Sequence, residues 1–159
     1  MDELLEALVA DPLTTPAVLA AMLAQPEKQI RERLAALEKE GTLLGYRAVL
    51  NPDKLGAESV RAVIEVRITP ERGGGYDKLA ERIAKHAEVR SCHLMSGGYD
   101  LLVEVEGRSL REVASFVSEK LATLQGVLST ATHFVLRAYK EQGLLMKREG
   151  GDERLAVTP

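Results

Sequence analysis

Cysteine, tryptophan and long apolar runs are almost missing from this chain of 159 residues. Its one cysteine, Cys92, has no second cysteine to pair with, which excludes an internal disulfide and any cysteine-based zinc site and fits a reducing compartment. There is no tryptophan and only 4% of residues are aromatic, too few for a platform that stacks single-stranded nucleic acid. No apolar run approaches the roughly 20 residues needed to span a bilayer. Met1 is followed by Asp2, Glu3 and Glu6, so no signal peptide, no membrane partner and a cytoplasmic location are expected. A basic excess is missing too. The net charge is −3, and residues 1–56 alone hold six Lys/Arg against nine Asp/Glu, a net of −3. That is not the footprint of a protein that grips DNA by bulk electrostatics.

What is present is globular: 45% hydrophobic and 28% charged residues. The pattern changes near residue 56, from Ala and Leu at helical spacing to alternating Val/Ile runs between helical stretches. Two domains are expected: residues 1–50, a turn-rich linker over 51–57, a second domain over 58–143, and a mostly disordered tail over 144–159.

In the first part, Asp2 caps a helix over about 3–10 with Leu4, Leu5 and Leu8 inward. Thr15-Pro16 opens a second helix with Val18, Leu19, Met22 and Leu23 as its apolar residues. Gln25-Pro26 starts a third, buried through Ile30, Leu34 and Leu37 and ended by Gly41. Three helices with a tight turn between the last two make a helix-turn-helix pattern, followed by a strand at about 43–50. The third helix leaves Glu27, Lys28, Gln29, Arg31, Glu32 and Arg33 outside. Lys28 and Arg31 have the chemistry for phosphates or a guanine edge, and Gln29 for adenine. Arg33 is grouped with them as a DNA-contacting residue, or it supports the turn. The plainer alternative is a solvated face with ion pairs such as Glu27 to Arg31.

The second part gives strand, helix, strand, strand, helix, strand, a ferredoxin-like α+β unit. Val60, Ala62, Ile64, Val66 and Ile68 share one face of the first strand, after which come the Gly73-Gly74-Gly75 loop and a helix bearing Tyr76, Leu79, Ala80, Ile83 and Ala84. Strands follow at 89–95 and 99–106, joined by a Gly97-Gly98 turn. A capping box, Ser109 to Glu112, opens a helix with Leu110, Val113, Ala114, Val117 and Leu121 as its stripe. The last strand spans 127–137, with Leu128, Phe134 and Leu136 on one face and Val127 and Val135 on the other. A sheet apolar on both faces implies a partner subunit.

Several motifs, in register, make the chain resemble the Lrp/AsnC family of prokaryotic transcription regulators over about residues 2–143. Arg33 to Gly41 follows R-[IL]-x-x-L-E-x-x-G. Gly45-Tyr46-Arg47-Ala48, Leu50-Asn51-Pro52 and Leu55-Gly56 follow the strand and linker. Ser96 to Leu102 follows the G-x-Y-D turn, and Gly126-Val127 with Thr130 and Thr132 follows G-V-x-x-T-x-T. Ala24 and Pro26 stand where family members usually carry Gly and Ser. The resemblance implies a (winged) helix-turn-helix that binds double-stranded DNA, and a ferredoxin-like βαββαβ (RAM) domain for effector binding and oligomerisation. It also implies homodimers assembling into higher oligomers, up to an octamer, and an amino-acid effector between subunits. By position, the effector residues it implies are Met95, Ser96, Gly97, Gly98, Tyr99, Asp100, Thr130 and Thr132. In that reading the Asp100 carboxylate meets the ammonium and turn N–H groups meet the carboxylate.

No nucleophile–base pair, P-loop or dinucleotide fingerprint appears, so no enzyme and no cofactor are expected. His86, His93 and His133 are scattered, and no metal site is expected, although His93 and His133 could approach across the sheet. Two other readings stand behind the regulator: a ligand-binding oligomeric sensor without strong DNA binding, and, less favoured, a sirohaem-decarboxylase-like enzyme, for which His133 and Arg137 on the last strand lack the basic, His-rich surroundings that a tetrapyrrole's carboxylates require.

Overall fold

The computed structural model describes residues 2–55, 59–70 and 75–146. The Gly56–Ala57 end of the expected linker, the Gly73-Gly74 part of the glycine loop and the tail from Lys147 onward lie outside these residues. The chain divides into two compact units, Met1–Ala48 and Val49–Pro159.

The first unit is helical: α1 (Glu3–Ala10), α2 (Pro16–Met22) and α3 (Glu27–Lys39). Each begins where local chemistry allows. The Asp2 carboxylate accepts the Leu4 N–H at 2.8 Å, and the Thr15 hydroxyl accepts the Val18 N–H at 3.4 Å. α3 starts after Pro26, which offers no side-chain cap. It ends in a Schellman turn: Gly41, at φ 75°, donates to the Glu38 carbonyl while Thr42 donates to the Leu37 carbonyl. Leu4, Leu8, Leu19, Ala20 and Ile30 form the core, with Leu34 and Leu37 packed at its margin. Val18 and Met22, expected inside, are exposed. Leu19 is buried as expected, and Ala20 takes the other inward position of α2. The strand expected at 43–50 does not form, because residues 44–50 have no ladder partner among the described residues.

The second unit opens with a single turn, α4 (Pro52–Leu55), then runs β1 (Val60–Ile68), α5 (Asp77–Ala84), β2 (Val89–Leu94), β3 (Leu101–Gly107), α6 (Leu110–Ser115), β4 (Val127–Phe134) and a short hairpin of β5 (Lys140–Glu141) and β6 (Leu144–Leu145). The four long strands form an antiparallel sheet in the order β2-β3-β1-β4. Even-numbered β1 residues Ala62, Ile64, Val66 and Ile68 and odd-numbered β3 residues Leu101, Val103 and Val105 face one side. There they meet Leu79 and Ile83 of α5 and Val113, Phe116 and Leu121. The expected domain boundary at 143 cuts through the β5–β6 hairpin.

Three details differ from the periodic reading. α6 passes at Phe116 into a wider π-helical turn, Phe116–Leu121. Hydrogen bonds there span five residues, as from Ala122 N–H to Val117 C=O at 2.8 Å. Phe116 and Leu121, five apart, therefore share the inward side, and Leu110 is left exposed. Second, a bulge between Arg67 and Ile68 sets two β4 residues against one of β1. Val127 then packs toward the helices while Leu128 is pushed out, so Leu128 and Phe134 do not form a common stripe, and the strand ends at Phe134 before reaching Leu136. Third, the face away from the helices is mostly polar. Val63, Leu102 and Ala131 sit among Arg61, Glu65, Arg67, Glu104 and His133. Arg61 pairs there with Glu104 at 3.7 Å and with Glu141 of the hairpin at 2.9 Å.

Candidate functional site

The turn between β2 and β3 is a loop of six residues, Met95 to Asp100, drawn closed by the Met95 N–H donating to the Asp100 carbonyl at 2.8 Å. It is fastened to the end of β1 at three further points. The Asp100 N–H donates to the Val66 carbonyl at 3.0 Å, the Asp100 Oδ2 accepts the Ile68 N–H at 2.8 Å, and the Arg67 Nε donates to the Gly98 carbonyl at 2.9 Å. A carboxylate here takes the place of a ladder carbonyl just beyond the last β1–β3 pair, Val66 with Leu101. Gly97 has φ 144°, which favours glycine; Gly98 has no such need, and neither would clash through an added Cβ. Backbone conformation therefore accounts for the glycine at 97 and not for the one at 98.

Met95, Ser96, Gly97 and Gly98 are exposed, while Tyr99 and Asp100 are half-buried. Thr130 lies opposite Val66 from the β4 side, so it flanks the same β1 segment that holds the loop. Thr132 lies opposite Ile64, one pleat repeat further away. The fold thus gathers Gly98, Asp100 and Thr130 around Val66–Ile68 and sets Thr132 at the margin.

On α3, the exposed cations are engaged locally. Arg31 pairs with Glu27, at 2.9 Å through Nε and 2.5 Å through the terminal nitrogen, and Lys28 lies 3.9 Å from Glu32. Gln29 is exposed beside them. Arg33 is turned inward to the domain: its guanidinium donates to Asp2 at 2.6 Å and to Gln25 at 3.1 Å, tying the start of α1 to the turn before α3. That geometry fits the turn-supporting role for Arg33. Asp2 has its pKa lowered, first by the Leu4 N–H bond and then by Arg33. The turn itself contains Ala24 at φ 50°, an unusual conformation for alanine.

The other singled-out residues are placed apart. His93 on β2 and His133 on β4 stand at opposite edges of the sheet, three strand spacings or about 14 Å apart, so they do not approach. His133 lies 3.5 Å from Glu65, and His86 stacks edge-on against Phe116. Cys92 packs on the core with its thiol 3.9 Å from the Ala80 carbonyl, and burial raises its pKa. Among the described residues no cluster of three or more His, Cys, Asp or Glu is placed to hold a metal, and no helix is long and apolar enough to cross a membrane. Sequence reasoning missed the Ile68 and Arg67 partners of the loop. Their signal was weak, since both lie some thirty residues away along the chain.

A three-helix unit followed by a βαββαβ sheet unit with a clamped glycine loop defines a two-part chain whose second half is of the α+β class. The profile of the Lrp/AsnC ligand binding domain matches residues 61–145. The HTH-type transcriptional regulator YugG of Bacillus subtilis (strain 168) is 42% identical over 158 residues, covering 99% of this chain and 95% of its own. The proline dehydrogenase transcriptional activator of Rhizobium radiobacter is 32% identical, covering 89% of this chain and 90% of its own. Among solved structures, a transcriptional regulator of Neisseria meningitidis in complex with L-Met superposes with TM-score 0.68 at 26% identity, over 91% of this chain and 96% of its own. This chain belongs to the Lrp/AsnC family of transcriptional regulators.

Proposed function

We propose that the protein is a DNA-binding regulator that reads double-stranded DNA with α3 and binds a small amino-acid effector at the loop of Met95 to Asp100. The observation that carries the reading is the loop itself. It is held to Val66, Arg67 and Ile68 by directed hydrogen bonds, yet its outer residues Met95 to Gly98 are exposed. A loop fixed in advance loses little entropy on binding, which is what a small-ligand receptor needs. The L-Met complex of the similar Neisseria regulator supports an amino acid as the ligand class.

In this reading Asp100 faces the ammonium, backbone N–H groups of the loop face the carboxylate, and Thr130 with Thr132 completes the margin. Lys28, Gln29 and Arg31 make the DNA contacts, in a helix-turn-helix of α2 and α3. The protein acts as a homodimer or larger assembly. The exposed Leu44, Tyr46 and Leu50 in a stretch without a ladder partner support this, as do Leu136 and Leu145. Effector binding between subunits then favours one assembly over another.

Calorimetry against the common amino acids, paired with a mobility-shift assay with and without the tightest binder, tests both halves. Binding of one amino acid with an altered DNA shift is expected. A second reading, a ligand-binding oligomer without strong DNA binding, draws on the net −3 of residues 1–56 and the paired cations of α3. It predicts amino-acid binding with no specific shift at either low or moderate salt.

A further inference from the structure

We infer that Glu27 and Glu32 hold down the DNA affinity of α3 by competing with DNA for its two exposed cations. The inference rests on the proposal that α3 is the DNA-reading helix. It starts from geometry. At about 100° per residue, Lys28 and Glu32 each lie about 200° from buried Ile30, so both point straight away from the core. That is the face a helix turns to the floor of a major groove. Glu27 and Arg31 lie together on one flank, where a groove-bound helix passes the phosphates.

Each cation already has a carboxylate one turn away: Arg31 on Glu27, and Lys28 on Glu32. A phosphate that captures Arg31 must displace Glu27. It must also accept an uncompensated carboxylate close to the DNA backbone, with like charges now facing each other. The same holds for Lys28 and Glu32. All four groups are well exposed, so each ion pair alone is weak. The larger effect is the carboxylate charge brought up to the phosphates. This penalty applies to every DNA sequence equally. The two glutamates therefore lower binding to right and wrong sites by the same factor and leave the ratio between them unchanged.

The test uses the full-length protein with Glu27→Gln, Glu32→Gln and the double variant, each checked by circular dichroism for its fold. One probe is a duplex selected from a random pool by the wild-type protein; the other is a scrambled duplex of the same composition. Fluorescence anisotropy is read from about 50 to 200 mM salt. Each substitution is expected to tighten binding to the scrambled duplex about fivefold, the worth of one unit-charge contact near 4 Å in water. The log–log salt slope should steepen by about 0.9 per freed cation. The selected duplex should tighten by the same factor, leaving the selected-to-scrambled affinity ratio unchanged. If the wild type binds its selected duplex but the variants keep its scrambled-duplex affinity and salt slope, the inference fails while the DNA reading stands. If the variants lose affinity for the selected duplex, the glutamates contact bases directly and the inference also fails. If selection enriches no duplex, the DNA reading fails and the inference with it.

Discussion

The Asp100 carboxylate accepts the backbone N–H of Ile68 at 2.8 Å, so one side chain closes the glycine loop onto the central strand. This gives Asp100 a structural duty whether or not a ligand is present. Asp100→Ala leaves the Ile68 N–H without its acceptor and is expected to destabilise the sheet unit by about 1–3 kcal/mol. Asp100→Asn keeps an acceptor oxygen and removes the charge. It is expected to preserve the melting temperature while lowering amino-acid affinity roughly ten- to a hundredfold, the range for one charge-assisted contact. An Asn variant that melts normally and binds with full affinity would show that Asp100 is scaffold alone.

Ala24 occupies the turn before α3 at φ 50°. An alanine there is held against its own Cβ sterics, whereas glycine adopts the conformation freely. Ala24→Gly is expected to stabilise the helical unit by about 0.5–1 kcal/mol after the added entropy of the unfolded chain is counted. Chemical denaturation followed by circular dichroism reads the change. A loss of stability would mean that the turn relaxes to another conformation in solution.

The cations of α3 should separate into two groups. Arg33, bonded to Asp2 and Gln25, links α1 to the turn. Arg33→Ala is expected to lower stability slightly, since the pair is partly exposed, and to loosen the first turn of α1 in hydrogen exchange. Lys28→Ala and Arg31→Ala should leave stability nearly unchanged and weaken duplex binding. Each should flatten the salt slope by at most about 0.9, since Glu32 and Glu27 compete for the two cations. Equal DNA binding by all three variants and the wild type would remove α3 from the DNA contact.

Acid should loosen the fold in a definite window. The Leu4 N–H and then Arg33 lower the pKa of Asp2, hydrogen bonding from Lys120 lowers that of Glu88, and the Arg108 backbone N–H lowers that of Glu112. A carboxyl depressed in the folded state adds stability above its ordinary value, here 3.8 for Asp2 and 4.5 for the glutamates. That stability is lost as pH falls through the lowered folded values. The melting temperature should therefore be level above about pH 5 and fall progressively below about pH 4. Glu88→Gln should make that fall shallower. A melting temperature that stays level down to pH 3 would contradict the assignment.

Much of the fold was legible because it depends on neighbours in sequence. Asp2, Thr15 and Ser109 mark helix starts by bonding N–H groups two or three residues on. The alternation through Val60 to Ile68 fixes which face of β1 is buried. Even the Ser109 cap holds a surprise. The Glu112 carboxylate returns to the Arg108 N–H at 2.7 Å and so bonds one residue before the cap. What was not legible depends on partners far along the chain or on a change of period. A strand at 43–50 needs a ladder that the described residues do not supply. Leu121 joins Phe116 inside because the π-helical turn sets residues five apart on one side. Leu128 leaves its stripe because a bulge adds one residue to β4. In the candidate site, the glycine loop and its residues stood out as a motif. Its attachment to Arg67 and Ile68, and the inward attachment of Arg33, join residues about thirty positions apart that no local pattern connects.

The carboxylate clasp at Ile68 also makes a built-in reporter. Its neighbours in β1 exchange hydrogen bonds with strand carbonyls, and those amide protons are released only when the sheet opens. The Ile68 amide is held by a side chain that can turn away while the strands stay paired. Anything that draws the Asp100 carboxylate toward itself would expose that one amide to deuterium without unfolding its neighbours. A single short peptide in an exchange experiment would then distinguish occupancy of the loop from loosening of the whole domain.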